Sequence, residues 1–299
     1  MVHPRSKLAR VLAAAFAATG VVIACALPAG AQPAPNPSPP PGKALLPETD
    51  LKNFPKLPVT TGPAPATTIG GNSAGSVIAV EVAGALTTTS FYDPAPGVSV
   101  QQLYSRLKSQ GVRGLIDPSN TAAAAAAAPQ SATAIACTYA TATSFVCPVA
   151  GWTNTGYAHP QIHFNDQTSV RWPVPATTST WNQAANIDSL YGNHTCGSGG
   201  HCVPLVDANY GNNGWAGHTP MTWNGNILLS ASIQLNDFYT YNSYGLLEDI
   251  CHEQGHALGL NHNVSIGSCL YSQILNTAAA STPNVDDFGE LNNIYSVKR

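Results

Sequence analysis

The chain has 299 residues, of which only 9% are charged, and its 12 basic residues nearly balance its 15 acidic ones. This length is enough for one large domain or two small ones. No basic stripe is present, which argues against nucleic acid as a partner. Low charge together with 26 glycines and 24 prolines favours a loop-rich, exported protein over a cytosolic one.

Residues 1–31 are typical of a secretory signal peptide. A positively charged start, an apolar segment and a small-residue cleavage site follow one another, at Arg5 to Arg10, residues 11–27 and Ala29-Gly30-Ala31. The apolar segment is short for a membrane span and no second one follows, so we expect a secreted chain without a transmembrane span. A competing interpretation is a lipid anchor at Cys25, because Val22-Ile23-Ala24-Cys25 resembles a lipidation site.

The next two segments carry weaker folding signals. Residues 32–66 are rich in Pro, Ala and Thr, which predicts an extended linker or stalk, because such a composition cannot bury a core. Residues 67–135 are predicted to contain a strand at Ser76–Ala83 and a helix at Val98–Gln110. Two interpretations of this segment stay open, a small subdomain or a propeptide that covers a functional site. We favour the subdomain, since no residue here stands out as a metal-blocking ligand.

Folding signals are stronger from residue 136 to residue 299, a segment of 164 residues. Apolar alternation and capping residues predict the following elements. They are a hairpin between Cys137 and Cys147, strands at Gln161–Phe164, Ser169–Trp172, Val203–Val206 and Asn226–Leu235, a loop at Asn209–Gly217, and helices from Thr178 to Tyr191, from Asn242 or Ser243 onward, and at Asp286–Tyr295.

The stretch from His252 to His262 carries the chemistry. Its sequence is HEQGHALGLNH. On a helix, His252 and His256 would stack on one face about 6 Å apart, close enough to share one cation. Gly259 can end the helix with a sharp turn that brings His262 back to the same ion. Three imidazoles with an open fourth position describe a catalytic zinc site, with the Glu253 carboxyl group beside the metal.

Six cysteines remain for pairing after either processing route, and an even number in an exported chain indicates disulfides. Fifteen pairings are allowed, and proximity favours Cys137–Cys147, Cys196–Cys202 and Cys251–Cys269. The last pair would tie the residue before His252 to the segment beneath the zinc. The histidines beside Cys196 and Cys202 could instead belong to a second zinc site, but a disulfide loop is favoured in an exported chain.

The pattern H-E-x-x-H-x-x-G-x-x-H is the metzincin signature, so the chain resembles a metzincin zinc peptidase. Within that clan, Gly255, Ala257 to Leu260 and His262 look most like the matrixins. Further resemblance lies in Ser268-Cys269-Leu270-Tyr271, at the place of the Met-turn, and in the closing helix that begins at Asp286-Asp287. Asn226–Asn236 resembles the strand at the edge of the matrixin cleft. The resemblance implies an α+β, zincin-type catalytic domain over residues 136–299, with a mixed twisted sheet, an active-site helix and a C-terminal helix.

Three departures from the matrixin pattern matter. Leu270 stands where the Met-turn has its methionine, and we expect only a modest change because leucine is a near-isosteric floor for the site. Asn263 replaces the usual serine. No cysteine-switch motif is visible, so latency through a cysteine–zinc bond has no support.

The resemblance implies a secreted endopeptidase that uses one Zn²⁺ held by His252, His256 and His262. Glu253 would act as general base in the hydrolysis of a protein or peptide substrate, which could pair with the strand near Asn226–Leu235. Calcium is a second cofactor that the resemblance allows, although no ligand loop is readable. The main alternative is an exported binding or cell-wall protein that keeps the fold but no longer cuts. A third interpretation is a zinc hydrolase acting on non-protein amides.

Overall fold

A computed structural model describes five ranges of the chain, residues 75–119, 138–144, 151–197, 199–225 and 227–296. The predicted signal peptide, the linker and the Cys137–Cys147 pair lie outside the described residues. The described part is a mixed α+β structure, which confirms the general fold class predicted from the sequence. Within these ranges, none of the helices combines the length and the apolar character that crossing a membrane requires.

Eleven strands and four α-helices are found in the described ranges. The strands are β1 Val77–Ala83, β2 Leu86–Pro94, β3 Thr138–Tyr139, β4 Ala142–Ser144, β5 Gln161–Asp166, β6 Asp188–Asn193, β7 His201–Ala208, β8 Trp215–Asn224, β9 Ile227–Ala231, β10 Ile233–Asn236 and β11 Leu260–Asn263. The helices are α1 Val100–Ser109, α2 Val174–Trp181, α3 Ser243–Ala257 and α4 Val285–Tyr295.

The large sheet has the strand order β1-β2-β8-β10-β7-β5-β6, and β9 also pairs with β8. Strands β6, β5, β7 and β10 run parallel, whereas β8, β2 and β1 add antiparallel pairs at one side. Apolar side chains of the parallel strands, such as Phe164, Leu205 and Leu235, are fully buried in the main core. A second sheet has the order β11-β4-β3 and packs against α4.

Helix α2 holds α3 in place through one large side chain. Trp181 is fully buried, and its indole Nε1 donates to the main-chain oxygen of Cys251 at 3.0 Å. A side chain at Gly255 would meet the ring of Trp181 at 3.0 Å, so the two helices approach closely at this glycine. The packing fixes the middle of α3, which lies against β8 and β10 of the large sheet.

The N-terminal hairpin, which consists of β1 and β2, is part of the same large sheet as the strands beyond residue 138. Strand β2 pairs with β8 from Leu86, opposite Asn224, to Tyr92, opposite His218, and again at Pro94. Helix α1 covers the hairpin and forms a small separate apolar cluster, whose buried members are Val77, Leu103, Leu107 and Trp215.

Several predicted elements are confirmed. The strand predicted at Ser76–Ala83 is β1, the helix predicted at Val98–Gln110 is α1, and the last two predicted helices are α3 and α4. Short strands β3 and β4 form the hairpin predicted near residue 140. The disulfides Cys196–Cys202 and Cys251–Cys269 are both formed, which is compatible with an extracellular protein.

Two predicted elements are wrong in the segment between residues 169 and 191. The helix begins at Val174, after Pro173, and ends at Trp181, whereas Asp188–Asn193 is strand β6. Pro175 lies in the first helical turn, for which its fixed backbone angle is suited, and parallel pairing of β6 with β5 overrides the helical spacing of the apolar residues. The predicted strand at Ser169–Trp172 is a turn, closed by Trp172 N donating to Ser169 O at 3.1 Å.

The strand predicted at Asn226–Leu235 is divided in two, and the prediction that it forms a sheet edge is wrong for its second half. Ser232 separates β9 from β10, and β10 lies inside the sheet between β7 and β8. The predicted loop at Asn209–Gly217 is shorter than expected, because β8 already begins at Trp215. Strand β8, which the sequence analysis did not identify, separates β10 from the N-terminal hairpin.

Candidate metal centre

Two of the predicted ligands lie on the last turns of α3. The helix begins after Asn242, whose side chain accepts a hydrogen bond from Gly245 N at 2.9 Å and so caps the first turn. His252 and His256 are four residues apart and are buried, with their ring centroids 4.6 Å apart. The regular spacing of one helix therefore brings the two imidazoles to a common point.

Both rings are oriented by main-chain oxygens. Nδ1 of His252 lies 2.8 Å from Cys269 O, and Nδ1 of His256 lies 2.9 Å from Leu260 O. A carbonyl oxygen can only accept, so each Nδ1 carries the proton and each Nε2 is left to face the centre. This arrangement, in which the second nitrogen is held by a hydrogen bond, is typical of metal-binding histidines.

The third imidazole comes from β11. After α3, Gly259 has a φ of +102°, a conformation that glycine adopts readily and that reverses the chain. The turn brings the buried His262 back towards the helix, with ring centroids 5.1 Å from His252 and 5.2 Å from His256. The structure thus brings together all three of the histidines predicted as ligands.

A fourth group that the sequence analysis missed, Asp93 from β2, completes the cluster. Its carboxylate oxygens lie 3.3 Å from His252 Nε2, 3.5 Å from His256 Nε2 and 3.3 Å from His262 Nε2. The four ligand atoms lie within 4.8 Å of one another, and all four residues are buried. No spacing pattern marks Tyr92-Asp93-Pro94 in the sequence. The only available signal would have been an acid at the end of a Thr-rich segment.

Charge at the centre is balanced between Asp93 and the imidazoles. Burial opposes ionisation of Asp93, but electrostatic and hydrogen-bond interactions with His252 and His256 hold the pKa of this carboxyl well below its usual range. Burial lowers the pKa of His262 to about 4, so this ring stays neutral at physiological pH, as a metal ligand must. An ionised carboxylate and neutral imidazole suit a divalent cation.

The donor set fits a metal ion, although it does not identify which one. Three imidazole nitrogens and one carboxylate oxygen suit zinc and also other divalent transition metals. His262 requires one adjustment, because its Nδ1 accepts a hydrogen bond from Gly75 N at 3.2 Å. To offer Nε2 to a metal, the ring must carry its proton on Nδ1, and the Gly75 contact must then give way.

Glu253 lies beside the centre and is fully buried. Its Oε2 accepts a short hydrogen bond from the hydroxyl of Thr219 on β8. A side chain at Gly217, on the same strand, would come within 1.9 Å of Glu253 Oε1, so only glycine leaves room for this carboxyl group. Burial and the negative charge of Asp93 raise the pKa of Glu253 well above its ordinary value. The predicted general base therefore lies within electrostatic range of a second carboxyl group.

The segment predicted as the floor of the site contacts the ligand helix. Leu270 is fully buried, and a side chain at Gly255 would meet its Cδ2 at 2.7 Å. The disulfide between Cys251 and Cys269 joins the helix to this segment. Leucine thus occupies a packed position next to α3 where the resemblance led us to expect methionine.

Asp287 supports the same segment from α4. Its carboxylate accepts hydrogen bonds from Ser268 Oγ at 2.6 Å, Asn263 Nδ2 at 2.7 Å and Asn284 N at 2.8 Å. Asp286 instead accepts from Thr141. The paired acids therefore brace the loop beneath the site and the β3–β4 hairpin.

Other candidate ligands in the sequence do not join this centre. Cys196 and Cys202 form a disulfide, and His201 Nε2 lies 2.7 Å from Thr153 O, so the alternative of a second zinc site there is wrong. His218 stacks on Tyr92, with 4.0 Å between ring centroids. Within the described ranges, no second group of three or more His, Cys, Asp or Glu side chains could hold a metal, and calcium stays a prediction.

In comparisons with known proteins, no family model, no curated protein and no solved structure matches the chain.

Proposed function

We propose that this chain is an exported, zinc-dependent endopeptidase of the metzincin, matrixin-like type, with Glu253 as its general base. The observation that carries the proposal is the convergence of His252, His256 and His262, all buried, beside a buried glutamate. All four residues come from an eleven-residue segment. Structural zinc sites have no need of an adjacent carboxyl group that is not a ligand, whereas hydrolytic sites do.

Each residue has a separate task in this reaction. A zinc ion held by the three imidazoles would polarise the scissile carbonyl and lower the pKa of a water in the fourth position towards ~7. Glu253 would accept the proton of the attacking water and donate it to the leaving amine. Thr219 orients Glu253 by its hydrogen bond, and Gly217 leaves space for the carboxyl group.

The arrangement of the described elements supports a zincin-type catalytic domain over residues 136–299. Helix α3 supplies two ligands, β11 supplies the third after the turn at Gly259, and α4 closes the domain below the site. The two disulfides support export. The substrate class that follows is a protein or peptide.

A second candidate function is an exported binding or cell-wall protein that holds a metal but does not cut. One observation favours it specifically: Asp93 gives the centre four protein ligands, and a closed set of four is typical of structural zinc. The two functions differ in whether the metal site cleaves a peptide once the Asp93 carboxylate is removed.

The experiment measures bound metal and peptide cleavage in the intact chain and in the Asp93→Ala variant. We expect about one zinc ion per chain, and cleavage of a denatured protein or of an unstructured peptide library by the Asp93→Ala variant. Glu253→Gln should lower the cleavage rate by roughly 10²–10⁴-fold, because it removes the general base. Glu290→Gln is the matched control, since Glu290 is equally buried but bonds to Ser144 away from the metal. Zinc-replete protein that cuts nothing in either form would favour the binding protein.

A further inference from the structure

Asp93 reaches the metal centre from a part of the chain that is remote from the other ligands. It lies 169 residues before His262, at the end of β2. Its position is fixed by Ser76, whose hydroxyl donates to Asp93 Oδ1 at 2.6 Å and lies 3.0 Å from His262 Nε2. The N-terminal hairpin therefore contributes a carboxylate in the corner of the site that hydrolysis would need for water.

The same hairpin covers a strand that passes the general base. Strand β8 carries Gly217 and Thr219, which contact Glu253, and its inner side is paired with β10. Its outer side is paired with β2 over almost its whole length. An extended peptide that is to reach Glu253 through main-chain hydrogen bonds needs this outer side. Strand β2 thus occupies the position of a peptide substrate as well as that of the water.

The hairpin is attached in a way that is compatible with release. Helix α1, which follows it, packs in a small apolar cluster that is separate from the main core. The end of the hairpin is exposed to solvent, and the side chain of Val82 in β1 is 71% exposed. The contacts that hold the hairpin are the β2–β8 ladder, this small cluster, the side chain of Phe91 buried in the main core, and the polar contacts of Gly75, Ser76 and Asp93 at the metal centre.

We propose that residues 75–119 are a built-in inhibitor, in which Asp93 fills the fourth ligand position and β2 fills the substrate strand position on β8. The inference rests on the proposed function, because it assigns a substrate place to the edge of β8. It follows that the intact chain is latent. A peptide substrate reaches β8 and the metal only in molecules whose hairpin has left, and Asp93→Ala should raise that fraction because it removes the contacts of the hairpin with the three histidines.

The test uses a small hydroxamate, which binds a metal through two oxygens and needs no catalysis. The full-length chain is loaded with Co²⁺, and hydroxamate affinity is measured from the visible absorption of the metal. If Asp93 leaves the metal in about 1% of molecules, the Asp93→Ala variant should bind hydroxamate about 100-fold more tightly than the unmodified chain. Asp117→Ala is the matched control, since Asp117 is an acid in the same segment that bonds to Ser119 and not to the metal centre, and it should leave the affinity unchanged.

Equal affinity of Asp93→Ala and the unmodified chain, with Co²⁺ retained in both, would overturn the proposal. Asp93→Ala could lose its metal or fail to fold. In that case the test uses a full-length chain with native Asp93 and a cleavage sequence for a site-specific protease inserted between Ser119 and Thr138. After cutting, hydroxamate should bind more tightly and residues 75–119 should separate on gel filtration. A cut chain with unchanged affinity rejects the inhibitor. Tight hydroxamate binding without any peptide cleavage would instead reject only the peptidase.

Discussion

The two sides of the metal centre are built in different ways. The imidazole side comes from α3 and β11, over eleven consecutive residues, and is fixed by a helix, a glycine turn and two main-chain acceptors. The carboxylate side comes from a hairpin far away in sequence and is fixed by strand pairing with β8. The difference teaches that a local motif can define three ligands of a site, while a distant segment supplies the fourth group.

The imidazole side also has more covalent and polar support. A disulfide and the buried Asp287 hold the floor segment, whereas the carboxylate side depends on a strand ladder and on Ser76. If this comparison is right, perturbations of the first side should change stability or metal binding. Substitutions in β8, which forms the wall between the two sides, should instead change the rate of catalysis.

The largest effect is expected from removing the disulfide on the imidazole side. The Cys251→Ala, Cys269→Ala double variant should lose about 3 kcal/mol of unfolding free energy, because the bond closes a loop with a sequence separation of 18. Urea unfolding of the oxidised proteins measures it. The control pair is Cys196→Ala, Cys202→Ala, with a separation of 6 and an expected loss of about 2 kcal/mol, and it should leave metal affinity unchanged. The comparison fails if the Cys196→Ala, Cys202→Ala variant weakens metal binding as much as the Cys251→Ala, Cys269→Ala variant does.

A smaller effect is expected on the wall formed by β8. In the Asp93→Ala background, Gly217→Ala should lower peptide cleavage about 100-fold, because the added methyl group displaces the Glu253 carboxyl by about 1 Å. The zinc content should not change, since no ligand is touched. Thr222→Ala, on the same strand but opposite Thr88, should keep the rate. An unchanged rate in Gly217→Ala would show that Glu253 is not the positioned base.

The smallest effect concerns the pH dependence of the floor segment. Burial raises the pKa of Asp287 to about 6, in spite of hydrogen bonds from Asn263 and Ser268. The folded state therefore holds this proton more tightly than the unfolded chain, whose aspartate pKa is about 3.9. The stability from the protonated form is complete below about pH 4 and is lost as the pH rises through about 6.

Asp287→Asn removes this titration. As the pH falls from about 7.5 to about 4, the unmodified chain should gain roughly 2 kcal/mol relative to the variant. Denaturant unfolding at several pH values measures the difference, and loss of zinc at low pH cancels between the two proteins. A difference that stays constant across this range would contradict the buried, protonated state of Asp287.

Much of the imidazole side could be predicted from the sequence because its causes are local. The spacing of His252 and His256 fixes their common helix face, Asn242 marks the start of α3, and Gly259 marks the turn. Two disulfides also followed from proximity in sequence. The helix expected from Thr178 to Tyr191 failed for the opposite reason, since Asp188–Asn193 is a strand only because β5 pairs with it.

By itself, the sequence determined that the three imidazoles and the adjacent glutamate lie together, and where the ligand helix begins and ends. These features depend on hydrogen bonds within a helix or a turn, and those bonds join neighbouring residues. Only the tertiary structure decided that Asp93 closes the centre and that β2 takes the outer side of β8. Strand pairing between distant residues depends on which edges remain free when the whole sheet forms, and no local pattern around Tyr92-Asp93-Pro94 encodes that choice.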